Sequence, residues 1–390
     1  MNLKKLTPYL LILFFIGLLL IFVPALITSE SFTGITFGTS DGAIGDTIGG
    51  TTAPFIGFLG VLFTFLAFYI QYEANQQLRK DIQQDRFETK FYEMLRLHKE
   101  NVNEVEIDNQ YFGRKAFVKM YLEFKFIYHV VMRTRDKWNK KVRLGESEQP
   151  EIKDDLDVLT GLSYSIFFFG VGQLSEGSMI YNNQGIHSPF MVECIRELCS
   201  EQRNFRINRS QRDERLKELS LNNELIEEGK YNLKVSSSKG RAELDTTFYP
   251  FDGHASKLGH YFRHLYQLIK FVVTSPPFDS DPKKDWQIKY EYIKTIRAQL
   301  SNHEQTMIYY NSFFEAGKIW WGDDTIDQKN ENNNDISYFL DWRIIKNIPF
   351  NLTQFGKNPR DKFAEELQKR KLSVDEVESE LSELFEWLEG

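Results

Sequence analysis

The 390-residue sequence has only two cysteines, Cys194 and Cys199, which form neither a CxxC pair nor a set of zinc ligands. Positions five apart on a helix point in different directions, so both are predicted to be reduced thiols, as in a reducing cytoplasm. Excess positive charge is also lacking. The net charge is −7, which argues against a generally cationic nucleic-acid binder. No Walker A loop, GxSxG elbow, GxGxxG turn or HExxH pair is present, so the sequence indicates no cofactor and no catalytic class.

Charged residues are absent from two stretches near the N-terminus, 6–29 and 47–72, and both stretches are rich in apolar residues. About 20 apolar residues are needed to cross a bilayer. We therefore predict two transmembrane helices, at about 7–28 and 54–72. A cleaved signal peptide is disfavoured for the first, because the apolar part of a signal peptide is shorter.

The charges that flank the two spans predict their orientation. Lys4 and Lys5 precede the first span, and Arg79 and Lys80 follow the second, whereas the intervening loop, 29–53, has three acidic residues and no basic one. Because basic residues stay on the cytoplasmic side, both termini are predicted to be cytoplasmic. The Gly- and Thr-rich loop is expected to be a short flexible crossing.

Helical periodicity dominates the rest of the sequence, so the fold class is predicted to be mainly α, with two N-terminal transmembrane helices followed by a helical cytoplasmic domain. The predicted organisation is a membrane anchor at 1–72, a stalk helix at 73–104, a helical domain at 105–356 with a polar insertion at 201–247, and a C-terminal acidic helix at 357–390.

Three local features of the helical domain lead to specific expectations. Residues 258–272 carry a wide apolar stripe, and the next long helix is predicted from Trp286 to Gly317, with Gly317 as its C-cap. The basic run at 133–143 is expected to be a solvated loop. His98 lies on the apolar face of the stalk, where a hydrogen-bonded core histidine is expected.

The C-terminal segment has a short heptad pattern preceded by a capping box, Ser373 with Glu376. Two heptads are short for a coiled coil, so docking onto the domain and formation of a homo-oligomer are equally favoured. The heptad residues are Val374, Val377, Leu381, Leu384 and Leu388.

A polar row in IRAQLSNHEQTMIYYN is the main candidate site. At 100° per residue, Ser301, Glu304 and Asn311 all lie within about 40° of Arg297 on a straight helix. His260 and Arg263, on the preceding helix, are expected to meet this row. The row is interpreted either as a buried network that fixes the helix pair or as a pocket for a polar or anionic ligand.

Two residue pairs in the same region allow other interpretations. His260 and His264 have a spacing that can hold a metal, but no further ligands are evident, so no metal site is predicted. Arg297 and His303 match the loose R-x5-H pattern of HEPN-type ribonucleases. On a continuous helix these two side chains lie about 120° apart, so they would not converge on one phosphate.

Three blocks, FYEMLRLHKENV, GHYFRHLYQLIKFV and YIKTIRAQLSNHEQTMIYYN, follow two N-terminal spans and resemble the AbiC-like family of phage abortive-infection proteins. The resemblance extends from about Phe87 to Gly317. It implies a defence protein of the bacterial inner membrane, with the bilayer as a partner and a phage-derived trigger or nucleic acid as a signal, but it brings no catalytic mechanism. We therefore expect a sensor or effector without a catalytic motif. The alternatives are a membrane-tethered ribonuclease and an oligomerising scaffold.

Overall fold

Helices make up most of the protein in the computed structural model, which describes residues 41–172, 187–220, 231–326 and 335–386 and isolated positions before residue 41. The helices are α1 Asp41–Glu104, α2 Arg114–Arg143, α3 Leu156–Phe169, α4 Ser188–Ser220, α5 Ala255–Val273, α6 Pro282–Arg297, α7 Asn302–Asn311, α8 Pro359–Lys369 and α9 Val374–Leu384. Short 3₁₀ turns span Glu315–Trp320 and Phe350–Leu352. The strands are β1 Glu106–Ile107, β2 Tyr111–Phe112, β3 Tyr231–Ser237 and β4 Gly240–Thr246. The predicted mainly α class is confirmed.

The chain divides into two compact units, Met1–Thr89 and Lys90–Gly390. Helix α1 is apolar and long enough to cross a membrane, and none of its apolar window is buried. It is the one such helix among the described residues, and the first predicted span, 7–28, lies almost entirely outside them. The second half of the predicted flexible loop is helical from Asp41. Asp41 is the first residue of this helix, and an acidic residue is favourable at a helix N-terminus.

Helix α2 lies at the centre of the second unit and contacts α3, α4, α7 and the β3–β4 hairpin. It continues to Arg143, so the expected loop at 133–143 is wrong. The end of the helix is held by tertiary contacts that no local pattern shows. Arg133 pairs with Glu197 and Glu201 on α4, and the Asn139 amide exchanges two hydrogen bonds, of 2.9 and 2.8 Å, with the backbone of Ile152.

The predicted insertion, 201–247, contains the end of α4 and an antiparallel hairpin that packs on α2. Ser237 pairs with Gly240, which leaves a two-residue turn, and the Asp136 carboxylate accepts hydrogen bonds of 2.9 Å from the backbone N–H and the hydroxyl of Ser238 in that turn. Ala242 and Leu244 of β4 are buried. This part of the insertion is therefore joined to the core.

Helices α5, α6 and α7 follow in sequence. The predicted apolar stripe of α5 is confirmed, because Leu258, Leu265 and Val272 are fully buried. The predicted single helix from Trp286 to Gly317 is wrong. It ends at Arg297 and restarts at Asn302, and Gly317 lies in a separate 3₁₀ turn. Ser301 and Glu304 form a capping box at the restart, so the sequence specifies a new helix N-terminus there.

The C-terminal helix α9 docks on the domain. Val377, Leu381 and Leu384 are buried, whereas Val374 is 79% exposed, and Leu388 lies outside the described residues. The capping box of Ser373 and Glu376 is present as predicted. Docking thus accounts for three of the five heptad side chains.

Two glycines bring distant loops into backbone contact. A Cβ atom on Gly170 would lie 2.5 Å from the carbonyl oxygen of Asp252, and a Cβ atom on Gly253 would lie 2.6 Å from the backbone nitrogen of Gly170. Both residues also have positive φ angles. Neither position therefore accepts a side chain, and the close approach fixes the end of α3 against the loop that leads into α5.

Position 317 requires glycine because the backbone of Asn311 lies close to it, and not because Gly317 caps a helix. A Cβ atom there would lie 2.0 Å from the carbonyl oxygen of Asn311. We expect Gly317→Ala to lower the free energy of unfolding by about 3 kcal/mol, because backbone must move to admit the methyl group. Urea denaturation of the detergent-solubilised chain measures this. At Gly322 the nearest atom is 3.5 Å away, so Gly322→Ala is the matched control. Equal stability of the two variants would contradict the interpretation.

Candidate ligand-binding pocket

Glu304 is the most deeply buried member of the predicted polar row, with a side chain that is 0% exposed. Its carboxylate accepts hydrogen bonds from the Ser301 backbone N–H at 2.8 Å, from the Ser301 hydroxyl at 2.5 Å and from the Tyr261 hydroxyl at 3.2 Å. The Arg114 Nε atom lies 3.5 Å away. Burial, followed by the Glu304 charge, raises the pKa of Tyr261 well above its usual range, so Tyr261 stays a donor. These contacts join α7, α5 and the first turn of α2. The four residues, Glu304, Ser301, Tyr261 and Arg114, form the Glu304 cluster.

The other predicted site residues do not join this cluster. Arg297 donates to the carbonyl oxygen of Arg343 at 2.6 Å. The Asn311 amide bridges the Tyr164 hydroxyl and the Trp320 indole. Arg263 and His260 are exposed on α5. The helix break separates Arg297 from Glu304, because their shared face was expected for a continuous helix.

His303 and Arg297 also have separate partners. The His303 ring packs edge-on against Tyr121 on α2, with centroids 5.4 Å apart. Arg297 lies over the ring of Tyr290 and binds the Arg343 carbonyl. The break between α6 and α7, which a ribonuclease arrangement of these two residues needed, is present, but the side chains are engaged elsewhere.

A cavity of about 750 Å³ lies beside the Glu304 cluster, between the end of α1, the β1–β2 turn, the start of α2 and the α6–α7 connection. Val102, Phe112 and Gly113 form its apolar part. Its polar lining consists of His98, Lys99, Asn103, Gln110, Arg114, Lys115 and Gln299. The described lining residues thus supply cations, amides and an imidazole, and none of them has a carboxylate, hydroxyl or thiol side chain.

Arg114 lines the cavity and also approaches Glu304. From the sequence we expected Arg263 to meet Glu304 instead. The Arg114 guanidinium donates to the carbonyl oxygen of Gln299 at 2.7 Å. Arg114 is 190 residues before Glu304 in the sequence, and the one local signal is its place just after Gly113, at the start of α2. Periodicity within α5 and α7 could not reveal it.

His98 forms a wall of the cavity. The residue is 1% exposed, and neither ring nitrogen has a hydrogen-bond partner among the described residues, so the expected hydrogen bond is absent there. The ring packs against Tyr261 and stacks on His264, with centroid distances of 5.2 and 6.2 Å. Burial, followed by the nearby His264, lowers the pKa of His98 to about 4. The imidazole is therefore neutral near pH 7.

Comparison with known proteins places this region in context. A family model described as putative phage abortive infection protein matches residues 253–328. The resemblance recognised from the sequence is thereby confirmed, over a shorter stretch than 87–317. The matched segment contains Tyr261, Gln299 and the Ser301–Glu304 capping box, whereas the cavity residues of α1 and α2 lie outside it. No curated protein and no solved structure matches the chain. Within the described residues, no group of three or more potential metal ligands occurs.

Two capping boxes among the described residues, Ser301 with Glu304 and Ser373 with Glu376, differ in burial, so their variants measure how burial affects stability. Glu304→Ala should lower the free energy of unfolding by about 3 kcal/mol, because it leaves the buried Tyr261 hydroxyl without its acceptor in addition to removing the cap. Glu376→Ala removes an exposed cap and should cost about 1 kcal/mol or less. Chemical denaturation of both variants measures the difference. Similar losses would show that burial of Glu304 adds nothing.

The low pKa of His98 predicts a pH-dependent stability. The unfolded state binds a proton near pH 6.5 and the folded state only near pH 4, so acidification through this window favours unfolding. Between pH 7 and pH 5, the protein should lose about 2 kcal/mol more stability than the His98→Gln variant. Thermal or urea unfolding at both pH values measures this. A His98→Gln variant with the same slope as the wild type would refute the assignment.

Proposed function

We propose that this chain is a phage-defence protein of the bacterial inner membrane, with two spans, both termini in the cytoplasm and a cytoplasmic domain that senses an infection signal. The family match supports the defence role. The exposed apolar stretch of α1 supports membrane insertion, since such a surface is costly in water. One helix carries both this stretch and four of the cavity residues, so the membrane segment and the sensing cavity belong to one element of the chain.

The composition of the cavity lining carries the proposal, because it is suited to binding more than to catalysis. Among the described residues, the lining offers no carboxylate, hydroxyl or thiol to act as a nucleophile or general acid. His98 is an imidazole of this lining, and its pKa of about 4 makes it a weak base at neutral pH. Lys99, Arg114 and Lys115 are permanent donors. A signal molecule bound here would contact α1, α2 and the α6–α7 connection at once.

The ribonuclease alternative receives less support. It requires Arg297 and His303 to act on one phosphate, whereas Arg297 binds the Arg343 carbonyl and His303 packs against Tyr121. Burial also lowers the pKa of His303, which opposes the imidazolium form that would bind a phosphate.

Phage challenge of cells that express the full chain tests the proposal. The chain should be recovered in the membrane fraction, resist carbonate extraction and lower phage yield. Arg114→Gln should restore the phage yield to that of cells with an empty vector, because it removes a donor from the cavity and the contact with Glu304. The measurement is phage yield at equal protein abundance in the membrane fraction.

Arg263→Gln is the control, since it removes an exposed arginine of the matched segment that lies outside the cavity lining. Its protection should equal that of the wild type. Full protection by Arg114→Gln at normal abundance would overturn the sensing role of the cavity. A wild-type chain that leaves phage yield unchanged would overturn the defence role.

A further inference from the structure

The first turn of α2 has the features of an anion-binding site. Gly113 occupies the N-cap, so no side chain caps the helix, and the first turn contains no acidic residue. Its first two residues are instead Arg114 and Lys115. The Ala116 N–H donates to the carbonyl oxygen of Gly113 at 3.0 Å, which leaves the N–H groups of Arg114 and Lys115 for an anion. The positive end of the helix dipole also favours an anion, and cations are unfavourable there unless an anion is present. Gly113, Arg114 and Lys115 all line the cavity.

The charge of the cavity points in the same direction. Lys99 from α1 joins Arg114 and Lys115 in the lining, and Lys99 and Lys115 form no ion pair among the described residues. Glu304 lies behind Arg114 and balances one of the three charges. Two lysines and a helix N-terminus thus line the same cavity, and the described lining residues include no carboxylate.

His98 supplies an independent indication that the cavity takes a polar ligand. Both of its ring nitrogens are buried and unpartnered, although the residue contributes to the cavity wall. A buried polar group without a partner is costly, and native proteins seldom retain one without a role. Because neither ring nitrogen has accessible surface, the ring must turn for its one donor and one acceptor to meet hydroxyl or phosphate oxygens of a ligand.

The size and the remaining wall of the cavity restrict the ligand class. A volume of about 750 Å³ is far larger than a phosphate ion and falls within the range of small-molecule sites. The ring of Phe112 is 51% exposed at this cavity, and an exposed ring can stack on a heterocyclic base. Asn103, Gln110 and Gln299 add amide donors and acceptors of the kind that recognise the edge of a base.

We infer that this cavity binds a soluble nucleotide, with its phosphate at the N-terminus of α2 between Lys99 and Lys115 and its base at Phe112. The inference rests on the proposed function, because it names the chemical class of the signal that the cavity recognises. The phosphate site uses backbone N–H groups, two lysines and Arg114, and His98 lies in the wall beside it.

Calorimetric titration of the full chain in nanodiscs of neutral lipid tests this inference. ATP and AMP are the probes, and adenosine and inorganic phosphate serve as the two halves of the ligand. Both nucleotides should bind, and each half should bind at least tenfold more weakly, because it forgoes the contacts of the other. Lys115→Gln and Lys99→Gln should each weaken nucleotide binding by about tenfold through loss of a charge-assisted contact.

Lys141→Gln is the matched control, since it removes an exposed lysine from the other end of α2. It should bind nucleotides as the wild type does, and thermal unfolding of all three variants verifies that they are folded. Absence of nucleotide binding by the wild type would overturn the inference, as would equal effects of Lys115→Gln and Lys141→Gln. Tighter binding of single-stranded RNA, or of nanodiscs containing phosphatidic acid, at the same lysines would also overturn it, in favour of those ligands.

The outcome is separable from that of the phage challenge. If nucleotides bind and Lys115→Gln weakens their binding without changing phage yield, the binding site stands and the sensing role fails. If the wild type protects against phage but binds no nucleotide, the defence role stands and this inference fails.

Discussion

The burial of α2 is the constraint on which the second unit depends. Half of its 30 residues are buried, including polar ones, and each buried polar group needs a partner. Glu123 accepts hydrogen bonds from the backbone of Phe251 and from the His254 ring, at 2.6 and 2.9 Å. Asn139 binds the backbone of Ile152. The connections around α2 are thus positioned by polar side chains of the helix that they cover.

The features that the sequence predicted well depend on local periodicity. The apolar stripe of α5 and the continuation of α1 beyond residue 72 both follow from the spacing of neighbouring residues. The break between α6 and α7 also has a local signal, the S-x-x-E pattern of Ser301 and Glu304. The shared face of Arg297 and Glu304 holds only for a continuous helix, whereas the capping box at Ser301, like the one at Ser373, starts a new helix. The β3–β4 hairpin was missed because its strands lie in a polar, charged stretch.

The candidate site shows the limit of such reasoning. Arg263 lies two residues from Tyr261, about 200° around the helix, so it cannot face Glu304 when Tyr261 does. The cation that approaches Glu304 is Arg114, from the start of another helix. The cavity combines residues near 98, near 114 and at 299, and only tertiary packing brings such distant segments together. Sequence patterns therefore located Glu304 but not the space that it supports.

The contact between Gly170 and Gly253 has a consequence for the evolution of this chain. Each glycine occupies the space that a side chain at the other would need, so a substitution at one cannot be offset by any residue at the other. The two positions must be inherited together as glycine for as long as the α3–α5 junction is kept. A pair of glycines at these two positions therefore offers a marker for distant homologues whose remaining sequence has diverged beyond recognition.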